Sequence, residues 1–430
     1  MAVREKVVYV ETLVHEDGRH RGVRVASTLR RLTMGPLEGI RVLDLSRVLA
    51  GPWATQLLAD LGASVIKVER PGTGDETRAW GPPWLPGTRE SSYFASANRN
   101  KRSITVDLQQ PSGQEIIRAL AAKSDVVVEN FKAGGLRGYG LDYGALSALN
   151  PSLVYCSITG FGQEGPGAQR PGYDLVIQAT GGLMSLTGRP DGEPGAGPLK
   201  VGVAVVDVIT GLYACNAVIA ALFERTRSGK GQYIDVALFD AEVAALANQS
   251  LACLVTGEAP RRLGNAHPSI VPYEDFPTRD GRIVLAVGND RQFIDLVAAM
   301  EHSELAADPR FSTNSARVTN RFTLVPRLAE ITSRKTSAEW VALLEPLGVP
   351  CGAIRDLAEV FAAPEVQARG LARTLRRSTG EEVPTVANPI RFSRTPVEYR
   401  SAPPRLGEHT EEVLAELEGT RAREAKEGGA

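Results

Sequence analysis

The sequence predicts an α/β fold: a Rossmann-like open parallel sheet in a large domain, followed by a smaller α+β domain. Three observations lead there. From residue 39 to about 158, short β-branched runs alternate with helical patterns, the signature of βα units feeding a parallel sheet. From about Gly257 the texture changes to a hairpin signal and then helices. The composition, 43% hydrophobic and 23% charged over 430 residues, is that of a globular chain with material for two or three domains.

Taken in order, strands are read at 40–45, 64–69, 102–108, 125–129 and 153–158. Between them, 53–61 and 113–122 carry apolar residues at i, i+3, i+4 spacing, and Pro111 or Ser112 starts the second by cap chemistry. Ligands on such sheets lie at the carboxyl ends of the strands, so 46–52, 70–75, 130–135 and 159–167 form the expected binding rim. The stretch 188–198, dense in Gly and Pro, is a loop. The apolar run 201–223 has Asp207 as its one charged residue. It is long enough to approach a membrane span, but it stands alone in a soluble pattern and is rich in Ala and Gly, so it reads as a core helix. A strand at 233–236 and one helix from 240 to about 254 follow.

Thr278-Arg279-Asp280-Gly281 marks a tight turn before a strand at 282–287, and a helix begins near Arg291. The last segment holds a strand-like 382–386 and an acidic C-terminal helix. The expected organisation is a dispensable extension over 1–33, a large domain over 34–256, a small domain over 257–344, and a segment over 345–430 that returns to the large domain.

Charge excludes several functions. With 49 Lys+Arg against 50 Asp+Glu there is no electrostatic reason for a nucleic-acid partner or an acidic membrane surface. The four cysteines, Cys156, Cys215, Cys253 and Cys351, lie far apart without metal or redox spacing, as in a reduced cytoplasmic protein. No His and Glu cluster at metal spacing. Gly160-Phe161-Gly162-Gln163-Glu164-Gly165 matches a dinucleotide fingerprint, but Pro166-Gly167 follows where a helix should receive the pyrophosphate, which disfavours a nicotinamide enzyme.

Asp207 is the most informative residue. A carboxylate isolated in an apolar run is either hydrogen-bonded, ligand-facing or neutralised. It is open to two readings: the N-cap of the helix, or a nucleophile kept ionised by the helix dipole, with Gly211 one turn on leaving space for a ligand. Tyr173-Asp174 after Pro171-Gly172 reads as a helix start or as a catalytic pair. Arg70, at the end of the second strand, is an exposed arginine or a phosphate contact; Asn100-Lys101-Arg102 divides the same way.

The residues also carry a resemblance. Gly39-Ile40-Arg41-Val42-Leu43-Asp44-Leu45, Ala50-Gly51-Pro52, Val65-Ile66-Lys67-Val68-Glu69-Arg70, Asn100-Lys101-Arg102-Ser103-Ile104, Val128-Glu129-Asn130-Phe131, Ala204 to Asp207 and Leu406-Gly407-Glu408-His409-Thr410 resemble the class III CoA-transferases. That family includes formyl-CoA transferase, carnitine CoA-transferases and alpha-methylacyl-CoA racemase. Ala266-His267-Pro268-Ser269-Ile270-Val271-Pro272-Tyr273 looks like the succinyl-CoA:glutarate CoA-transferase branch and its dicarboxylate-using relatives.

The resemblance implies an interlocked homodimer with no permanent cofactor and no metal, taking an acyl-CoA and a free carboxylic acid as substrates. It makes Asp207 the nucleophile, forming in turn a mixed anhydride and an aspartyl-CoA thioester. It implies CoA contacts from Leu49, Ala50, Arg70, Val106, Asp107, Leu108, Asn130, Phe131, Lys132, Arg137, Tyr173 and Asp174. Arg47, Arg170 and His267 are the candidates to hold a distal carboxylate. Departures from formyl-CoA transferase at Leu49, Gly138 and 264–268 argue against oxalate or formate chemistry. The alternatives are a 2-methylacyl-CoA racemase, disfavoured because those enzymes have His-Asp where Tyr173-Asp174 stands, and a non-catalytic CoA-binding protein.

Overall fold

The computed structural model of the chain describes residues 35–427. The expected extension over 1–33 lies outside the described residues. Six strands form one sheet: β1 Arg41–Asp44, β2 Ser64–Glu69, β3 Lys101–Thr105, β4 Val126–Glu129, β5 Val154–Thr159 and β6 Tyr233–Ala237. Every pair in it is parallel, and the order is β3-β2-β1-β4-β5-β6. A parallel sheet needs cover on both faces, and accordingly β4 and β5 are buried along their whole length.

Helices α1 Ala50–Asp60 and α5 Val205–Ser228 cover one face, closing a core that includes Val42, Leu58, Val126, Cys156, Ala214 and Val218. Helices α2 Pro111–Ala122, α3 Tyr143–Leu149 and α11 Thr410–Glu427 cover the other, around Leu43, Ile104, Ile117, Val127, Leu146 and Val413. Helix α5 is long and apolar enough by composition to cross a membrane, but its Val206, Ala214, Val218 and Leu222 are buried in the core beneath the sheet. It packs as the expected core helix.

A second core lies around the antiparallel sheet of β7 Tyr273–Pro277, β8 Arg282–Ala286 and β9 Cys351–Ala353. Helices α8 Asp290–Ala299, α9 Arg321–Thr332 and α10 Ser337–Leu344 supply it with Phe293, Leu324 and Trp340. The expected Asp-Gly turn joins β7 to β8, and Asn289 caps α8 by accepting from the Gln292 amide at 2.9 Å. β10 Ala372–Arg376 and β11 Glu382–Val386 pair as a separate ribbon.

Two expectations need correction. The third strand ends at Thr105, because the Asp107 carboxylate accepts from the Gln109 amide at 2.9 Å and turns the chain. Val106, Asp107 and Leu108 therefore lie on the rim itself. The helix expected over 240–254 is two helices, α6 Leu238–Ala245 and α7 Ala247–Thr256, bent by 78° where Ala247 takes a φ of 45°. The composition shows no Gly or Pro there to announce the break.

Candidate active site

Asp207 is the third residue of α5, and the N-cap reading is not what is found. The cap comes from elsewhere. Asp174, first residue of α4 Asp174–Thr180, accepts with Oδ2 from the amides of Val206 at 2.8 Å and Asp207 at 3.2 Å. Its Oδ1 accepts from the Gln178 amide group, whose own oxygen accepts from the Val201 amide at 2.9 Å. The start of α5 is thus capped by a carboxylate from another helix, satisfying donors that an N-terminus leaves open.

Relieved of capping, the Asp207 carboxyl has no hydrogen-bond donor among the described residues, although the residue is only 9% exposed. Burial first, and then the Asp174 charge, push its pKa up to about 7. The helix dipole, expected to keep it fully ionised, is outweighed. The result is a poorly solvated carboxylate, half protonated near neutrality, which attacks strongly when ionised.

Gly211 does not leave room for a ligand. A Cβ there would sit 2.7 Å from the Ala50 carbonyl oxygen and 3.0 Å from Trp53 Cδ1, so the missing side chain lets α1 and α5 touch. That contact ties the turn bearing Asp207 to the start of α1, where the strand order reverses between β1 and β4. Across that point Asn130 holds both ends of the Arg47 peptide group, accepting from its amide at 2.8 Å and donating to its carbonyl at 2.7 Å.

A cleft of about 330 Å³ opens at the carboxyl ends of β1 to β4, where open sheets of this order bind ligands. It gathers Arg47, Arg70, Val106, Asp107, Leu108 and Phe131 from the expected set. Lys132 and Arg137 instead line a neighbouring cavity of about 260 Å³ walled by Tyr143, Tyr155 and Tyr233. Leu49 and Ala50 are buried at the head of α1 and line neither cavity. Tyr173 is 61% exposed beside the Asp174 cap.

Within one chain the three candidates for a distal carboxylate each have a separate partner. Arg47 pairs with Glu76 at 2.6 Å and lies over the Phe131 ring within the cleft. Arg170 stacks on Phe161. His267 packs against Tyr273 and accepts on Nδ1 from the Ser269 amide at 3.0 Å, beside the second core.

Asp174, which the sequence offers as a helix start and as a CoA contact, opens α4 and caps α5. Sequence reasoning passed over Tyr93. That residue, in the short helix Ser92–Ser96, has its pKa raised to about 12 by burial and then by the charges of Asp207, Asp174 and Asp75. It stacks edge-on against Trp80. The aromatic residues spaced through the Pro-rich stretch 80–94 were the available signal. Among the described residues no three His, Cys, Asp or Glu are grouped to hold a metal ion.

A family model described as CoA-transferase family III matches residues 37–410. The chain is 50% identical over 387 residues to a succinate–glutarate CoA-transferase of Agrobacterium fabrum, covering 89% of this chain and 96% of that one. It is 44% identical over 382 residues to a succinyl-CoA:glutarate CoA-transferase of Homo sapiens, covering 89% and 86%. Among solved structures, a CAIB/BAIF family protein from Brucella suis superposes with a TM-score of 0.79 at 50% identity, covering 90% of this chain and all of that one.

Proposed function

The chain belongs to CoA-transferase family III and is a transferase, and from that premise we propose that it moves CoA from succinyl-CoA to a free dicarboxylate such as glutarate, with Asp207 as the nucleophile. Asp207 Oδ attacks the thioester carbonyl and CoA leaves as thiolate, giving a mixed anhydride. The thiolate then attacks the aspartyl carbonyl, releasing succinate and leaving an aspartyl-CoA thioester. Glutarate attacks that thioester, CoA departs again, and its attack on the glutaryl carbonyl of the second anhydride yields glutaryl-CoA and restores the carboxylate. Each step exchanges one acyl bond for another of similar energy. The observation that carries this reading is the poorly solvated Asp207 carboxylate, without a donor among the described residues, in the first turn of α5, on the helix that packs through Gly211 against the head of α1. Hydroxylamine or borohydride added with succinyl-CoA should modify Asp207 alone by mass spectrometry; full transfer without modification would sink the reading.

Acidity provides a second check. Only the ionised carboxylate attacks, so kcat/KM should fall as pH drops through about 7. Asp174→Asn keeps an oxygen for the two amides and removes the charge, so the acid limb of its pH–rate profile should move to lower pH. An unmoved limb in that variant would break the link between the two carboxyls.

The same reading includes a cytoplasmic homodimer without membrane or nucleic-acid partners. The unpaired cysteines support the location. Helix α7 supports the dimer, since none of its residues is buried and Leu251, Leu254 and Val255 stand 61%, 83% and 75% exposed. With the expected domain division, His267 and its small domain would approach the acyl end of CoA in the second subunit.

A further inference from the structure

Beneath the cleft lies a cluster of buried charges that the transfer chemistry does not use. Lys67 on β2 and Asp75 in the loop after it have fully buried side chains, with Nζ 2.9 Å from Oδ2. Burial alone would drive both toward neutrality; the opposite charge overrides it, raising the pKa of Lys67 and lowering that of Asp75. Both groups also grip the turn between β1 and α1. Lys67 donates to the Ser46 carbonyl at 2.9 Å, and Asp75 accepts from the Val48 amide at 3.2 and 3.3 Å. Asp75 is itself steadied by the Thr77 amide at 3.0 Å and hydroxyl at 2.7 Å.

What they grip is strained. Val48 has a φ of 68°, a left-handed conformation that a β-branched residue rarely adopts. The next residue, Leu49, opens α1 with no side-chain cap. Without anchors at Ser46 and Val48 the turn would relax to an extended or right-handed shape, and Arg47 would swing away from the cleft it lines. A second buried pair, Lys101 and Asp44 at 3.1 Å, braces the same turn, with Asp44 accepting from the Ser46 amide at 2.9 Å.

We propose that the Lys67–Asp75 pair is a positioning device for CoA: it holds the strained turn in the shape that keeps Arg47 lining the cleft. The inference rests on reading that cleft as the CoA site. A buried ion pair seldom persists for stability alone, since apolar side chains of similar volume serve as well; here each charge has a second task on the turn.

The test compares two charge-neutral double variants of the full chain, by calorimetric titration with CoA and by steady-state transfer. Lys67→Met with Asp75→Ala removes the Val48 anchor and should weaken CoA binding and raise the acyl-CoA KM by about tenfold or more, with kcat and the dicarboxylate KM changed by less than about threefold. Lys67→Met with Asp75→Asn keeps an acceptor oxygen for Val48 and should recover most of the affinity. Hydrogen exchange should quicken at residues 46–52 in the first variant and not elsewhere. Unchanged CoA affinity, or an equal rise in both KM values, would overturn the proposal. If the first variant does not fold, the isosteric Thr77→Val should still weaken CoA binding about twofold to fivefold, and no change there overturns it as well. A native protein that binds no CoA sinks the reading of the cleft; a native protein that binds CoA, with variants that match it, sinks only this inference.

Discussion

Replacing Asp207 by Asn should cost at least about 10³-fold in CoA transfer, since a covalent nucleophile is lost, and at pH 8 it should raise the melting temperature. The second half follows from the direction of the shift. The folded protein holds the Asp207 proton up to about pH 7, against 3.8 for an ordinary carboxyl, so the native state binds more protons than the unfolded chain. Its contribution to stability is therefore fully present below about pH 4 and is lost as pH rises through about 7. The difference corresponds to about 4 kcal/mol once the group is ionised. Asn carries no charge to desolvate beside Asp174. The variant should accordingly melt above the native protein at pH 8, with the gap narrowed by more than half at pH 5. Calorimetric scans at the two pH values check this; a variant that melts lower at pH 8 would mean that the carboxylate is held by donors and is no strained nucleophile.

Gly211→Ala should lower stability by about 1–3 kcal/mol, although Ala is the better helix former. The added methyl would meet the Ala50 carbonyl oxygen at 2.7 Å, a backbone atom that cannot swing aside, and Trp53 at 3.0 Å. Helices α1 and α5 must then part, and the parting falls on the turn carrying Asp207 and on the head of α1, so transfer should decline with stability. Gly419→Ala is the control. That glycine is an exposed residue of α11 with nothing within 4 Å of the new methyl, and its variant should gain about 0.5–1 kcal/mol from helix propensity. Urea melts of the pair measure both, and equal responses would remove the close helix contact from the account of the site.

Much of the sheet was legible because its strands are buried on both faces and read as runs of Val and Ile; β2 runs Ser64–Glu69, as expected. The rim was legible for the same reason: parallel strands place their carboxyl ends on one side, and Arg70, Asp107 and Phe131 meet there though distant in the chain. The bend between α6 and α7 was not, because Leu246 and Ala247, where it lies, are good helix formers with no Gly or Pro beside them. The pairing of Arg47 with Glu76 was not legible either, since the two lie 29 residues apart and only the fold brings them to 2.6 Å.

By itself the sequence determined the alternation of strand and helix, the side of the sheet on which a ligand must lie, and the isolation of one carboxylate in an apolar helix. All three are written in hydrophobic periodicity, which acts over a few neighbouring residues. Only the tertiary structure decided the state of that carboxylate. Asp174 reaches it from a helix some thirty residues earlier, taking the amides of Val206 and Asp207 and adding its own charge. Gly211 meets α1 rather than a ligand, and Lys67 and Asp75 clamp a turn that neither borders in sequence. Desolvation, through-space charge and steric contact depend on what the fold places within a few ångströms, and order along the chain does not encode that distance.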